Sequence, residues 1–77
     1  MTSDAQEAFH PAPILVLGVV PDDPPYRLVE FNGEIAGRAY DVLDVIKLAR
    51  RKGIPHVDLD DPAVVRWVGG GKYKWVV

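Results

Sequence analysis

Arg66, Trp67, Lys72, Tyr73, Lys74 and Trp75 crowd three bases and three aromatic rings into the last twelve residues of this chain, with no acid among them. Residues of these types suit two kinds of work. Aromatic faces flanked by cations can stack and hold single-stranded nucleic acid, each stacked base contributing about 1–3 kcal/mol. Large aromatics are equally the side chains that fill a small core or anchor a protein interface. On a strand, alternation puts Tyr73, Trp75 and Val77 on one face and Lys72 and Lys74 on the other. The core and protein-contact reading is favoured, because a chain of 77 residues needs bulk inside and its net charge of −2 lacks the basic excess of a nucleic-acid protein. These six residues are therefore the expected partner-binding set. Lys47, Arg50, Arg51 and Lys52 would join them as nucleic-acid contacts in the alternative reading.

Other groupings are weaker. His56 with Asp58, Asp60 and Asp61 offers oxygens and an imidazole, and alternate strand residues share a face. The cluster lacks the glycine and distal glutamate of a calcium loop and reads better as a solvated strand end before an Asp-Pro turn, so no metal is expected. Gly69-Gly70-Gly71-Lys72 resembles a phosphate cradle only in composition. It has neither GxxxxGK[ST] nor GxGxxG spacing, no Ser or Thr after the lysine, and no helix to follow, which leaves a glycine tip between two strands. Thr2 and Ser3 are the sole Ser/Thr hydroxyls, and cysteine is absent, so no nucleophilic triad can form in a core. Neither catalysis nor a cofactor is expected.

Length and charge bound the rest. A chain this short builds one marginal core, and without cysteine it has no disulfide or thiolate metal site to staple it. Tight packing or self-association remains, which makes a homo-oligomer an open option. The longest apolar stretch, Ile14 to Val20, is too short to span a bilayer and no secretory leader is legible, so the expected location is cytoplasmic. Charge is uneven: residues 1–40 carry a net −4 and residues 41–77 a net +2.

The elements that must position these residues can be read in turn. Residues 1–12 are polar and aperiodic and should form a disordered tail, with a single domain over 13–77. Ile14 to Val20 is a branched apolar run that predicts a central strand covered on both faces. Pro21-Asp22-Asp23-Pro24-Pro25 ends it. Tyr26–Phe31 and Glu34–Tyr40 flank Asn32-Gly33, the dipeptide of a type I′ turn, and predict a β-hairpin with a bulge or close approach at Gly37.

Asp41 to Lys52 predicts one helix, capped by Asp41 with Asp44 in support, Tyr40 stapling to Val45, and stopped at Gly53-Ile54-Pro55. Its apolar stripe of Val42, Val45, Ile46 and Ala49 would lie on a sheet, leaving a basic back in solvent. His56–Leu59 suggests a short strand. Residues 63–68 and 72–77 suggest a second hairpin about the glycines, against a short Asp61-capped helix from Pro62 to Val68.

The expected fold is α+β: a largely antiparallel sheet with two hairpins and a single helix packed on one face. Its expected role is a small non-catalytic protein–protein interaction module, regulator or accessory subunit, binding a protein partner or itself through the sheet edge at Val76-Val77 and the Trp/Tyr hairpin. Nucleic-acid binding is the alternative.

Overall fold

The computed structural model describes residues 12–77. The expected tail therefore lies outside the described residues except for Ala12. Five elements follow: β1 (Ile14–Val20), β2 (Tyr26–Phe31), β3 (Glu34–Ala39), α1 (Val42–Arg51) and β4 (Val65–Trp67). They form an α+β fold in which a four-stranded, mostly antiparallel sheet of order β3-β2-β1-β4 carries the single helix.

The hairpin forms where the sequence places it. Asn32 and Gly33 both adopt positive φ, 51° and 87°, which gives the connection the twist of the strands it joins. Beyond the turn the register shifts from Glu30↔Ile35 to Val29↔Gly37, so Ala36 is the extra residue of a bulge. A Cβ at Gly37 would stand 3.1 Å from Leu48 Cδ2, so the missing side chain there lets α1 approach the sheet.

Helix ends are specified by neighbouring residues. The Asp41 carboxylate accepts from the Asp44 amide at 3.0 Å, and the Asp44 carboxylate accepts from the Tyr40 amide at 2.8 Å, a reciprocal cap shifted by one residue from the usual box. At the far end the Gly53 amide donates to Arg50 O and the Ile54 amide to Ala49 O, the paired bonds of a Schellman stop. Val45, Leu48 and Ala49 are the residues α1 buries. They meet Ile14, Val16, Val29, Phe31, Ala39 and Val65 in the core. The Tyr40 ring lies 6.1 Å from that of Tyr26.

The chain departs from expectation in three places. His56–Leu59 is not a strand, because the Asp58 carboxylate accepts from the Asp60 amide and Asp58 O from the Asp61 amide, which curls the segment into a turn. After it, Asp61 caps one turn, its side chain taking the Ala63 amide and its carbonyl the Val64 and Val65 amides. The helix and strand alternatives for 62–68 thus each hold in part: the chain leaves that turn directly into β4.

β4 lies parallel to β1, pairing Ile14↔Val65 and Val16↔Trp67. The predicted C-terminal hairpin does not form, since residues 72–77 belong to no strand and Val76-Val77 is not a sheet edge. Lastly, β1 sits inside the sheet but only one of its faces is packed. Ile14 and Val16 are fully buried under α1 and the loop residues Ile54, Val57, Leu59 and Val64, while Leu15 and Leu17 on the intervening positions stay half-buried. No helix among the described residues is long and apolar enough to cross a membrane.

Candidate functional site

Arg27 is the organising residue of the C-terminal half. Alternation along β2 places it on the core face with Val29 and Phe31, and it is fully buried. Each of its N–H groups finds a backbone carbonyl. Nε donates to Leu17 O at 2.7 Å, Nη1 to Gly71 O and Lys74 O at 2.8 Å each, and Nη2 to Val68 O at 3.0 Å and Gly70 O at 2.8 Å. That uses all five donors of the fork.

Two indole rings face the guanidinium as well. Its carbon lies 5.2 Å from the Trp67 ring centroid and 5.4 Å from that of Trp75, and the two indoles meet edge-on with centroids 6.4 Å apart. Burial holds the Arg27 pKa below the ordinary arginine value. Charge-assisted bonds and the two ring faces offset the loss of water.

The glycines make this possible. Gly69 and Gly70 adopt φ of 76° and 128°, and a Cβ on Gly70 would lie 2.6 Å from Lys74 Cγ. Only glycine takes that path without strain. The Gly69-Gly70-Gly71 segment thereby presents carbonyl oxygens inward to a cation, the opposite polarity to a phosphate cradle, whose amides face an anion.

The six predicted partner-binding residues therefore separate. Trp67 and Trp75 meet, but inside, around Arg27, and each indole N–H is spent on a carbonyl, Leu59 O at 3.1 Å and Lys72 O at 2.6 Å. Lys72 pairs with Asp60 at 2.6 Å, and this hydrogen-bonded contact raises its pKa. Tyr73 stands 85 % exposed, and Lys74 is exposed too. Arg66 sits on the opposite side of the sheet. On α1 and its cap, Lys47, Arg50, Arg51 and Lys52 are all exposed, and Lys47 and Arg51 line a groove with Arg38 and Tyr40 rather than with Trp67 or Trp75. Among the described residues no group of three His, Cys, Asp or Glu side chains could hold a metal ion.

What sequence reasoning missed is the face of the sheet that no other described element covers. Pairing Leu15↔Arg66, Leu15↔Glu30 and Glu30↔Ile35 lays Arg66, Leu15, Glu30 and Ile35 in a row across all four strands. Leu28 and Arg38, paired in the next row, share this face by alternation. A groove of about 410 Å³ opens there, lined by Pro13, Leu15, Glu30, Asn32 and Arg66 among others. The signal that could have exposed it was present: α1 has one apolar stripe and covers one side, and the alternate positions Leu15, Leu28 and Ile35 had no second helix to meet. No protein-family model, curated protein or solved structure matches this chain.

Proposed function

We propose that this chain is a non-catalytic protein–protein interaction module whose contact surface is the uncovered sheet face. The observation that carries this reading is the row Arg66–Leu15–Glu30–Ile35, an apolar centre with a charge of each sign on a rigid sheet, with Ile35 56 % exposed. Apolar residues gathered on one side of a sheet and rimmed by charge are the composition of a protein interface. The inward use of Trp67 and Trp75 supports this reading over nucleic-acid binding, because both rings already face Arg27 and both indole N–H groups are bonded within the chain.

A photoreactive residue replacing Leu28, compared with one replacing Leu43 on the exposed side of α1, tests it in cells. Protein adducts are expected from position 28, absent from position 43, and lost when Leu15→Asp is added on the same face. Nucleic-acid adducts, or the same products from both positions, would overturn the proposal.

A further inference from the structure

The occupant of the uncovered face can be read from its charge order, and this step rests on the interaction surface just proposed. We infer that the face packs on a second copy of this chain, sheet against sheet, about a two-fold axis running along β1. Consider the row read from β4 to β2. It is Arg66, Leu15, Glu30, fixed by the pairs Leu15↔Arg66 and Leu15↔Glu30. A two-fold along β1 leaves the position of β1 unchanged and exchanges β4 with β2.

Each residue then meets a suitable mate. Leu15 faces its own copy and Arg66 faces Glu30 of the second copy, the latter contact occurring twice by symmetry. The self-complementarity required of an isologous interface is thus written into the row order. The same row does not satisfy itself within one chain. Arg66 and Glu30 flank Leu15 from different strands, and among the described residues neither forms an ion pair. Aligned sheets about 10 Å apart interleave such side chains.

A single-core chain without cysteine gains most from this mode of association, because it turns a half-solvated sheet into the centre of a larger core. Opposite charges two strands apart also fix orientation, since a copy rotated end over end would set Arg66 against groups other than Glu30.

Charge exchange tests the pairing on the whole chain. Sedimentation equilibrium should give the wild type at about twice the chain mass of 8.5 kDa. Glu30→Arg and Arg66→Glu should each shift the protein to monomer, by at least about tenfold in Kd for the loss of roughly 1.4 kcal/mol. An equimolar mixture of the two variants should regain the dimer, and so should the double variant, because both arrangements restore opposite charges. Isotope-filtered contacts between Leu15 methyl groups of labelled and unlabelled wild-type copies give a second readout that needs no variant.

A monomeric wild type at all concentrations, or a dimer indifferent to both substitutions, would overturn the second-copy inference. If the wild type is monomeric while position 28 still gives a specific adduct with another protein, the interaction reading stands and only the identity of the occupant falls.

Discussion

Residues 26–53 and residues 54–77 reach their structures by opposite routes. In the first region the turns and helix ends are satisfied close by: Asn32-Gly33 closes the hairpin, Asp41 and Asp44 cap α1, and Gly53 returns its amide to the last turn. In the second, one side chain from outside does the work, since Arg27 lies 41 to 47 residues before the four C-terminal carbonyls it binds. Regular structure carries its own partners, while an irregular segment that packs against a core must borrow donors.

The largest way to break this contrast is Arg27→Met. It removes every donor and leaves the carbonyls of Val68, Gly70 and Lys74 without a partner, Gly71 O keeping the Lys74 amide, a loss of about 3–5 kcal/mol given roughly 1–3 kcal/mol for each group left unsatisfied and partial rehydration. Urea unfolding measures the loss. Hydrogen exchange should accelerate first at residues 68–75, and exchange that rises evenly over both regions would contradict the assignment. Gly70→Ala is a smaller intrusion, about 1–3 kcal/mol for a side chain at φ of 128° set against Lys74. It should change the emission of Trp75 and leave α1 intact by far-ultraviolet circular dichroism. Asp41→Ala sharpens the comparison from the other side: removing a helix cap should cost about 1 kcal/mol with no change in tryptophan emission.

The same contrast explains what the sequence made legible. The hairpin, the bulge at Gly37, the helix with both its ends, and the α+β arrangement follow from signals that act over a few residues. The parallel pairing of β4 with β1 does not, because nothing near Val65 names Ile14 as its neighbour. Residues 72–77 have the branched and aromatic composition of a strand, but Gly71 O and Lys74 O, which a ladder would use, are turned to Arg27 Nη1. Arg27 itself was visible as a charge at the inward position of an alternating strand, between a Tyr and a Leu that point the other way. Distant glycines and two tryptophans complete its meaning only in three dimensions. The uncovered face escaped notice for a simpler reason: the unbroken apolar run of β1 reads as a strand buried on both sides, whereas α1 reaches one.

The borrowed donors also impose an order on assembly. During synthesis the hairpin and α1 are complete before Val68 exists, and in that interval Arg27 has a single acceptor of its eventual set, Leu17 O. Closing the core over a guanidinium in that condition is penalised, since a buried charge without its partners costs several kcal/mol. A chain cut before the glycine segment is therefore expected to keep its core open on the Arg27 side. One arginine thus makes the last segment of the chain a condition for closing the core around the first.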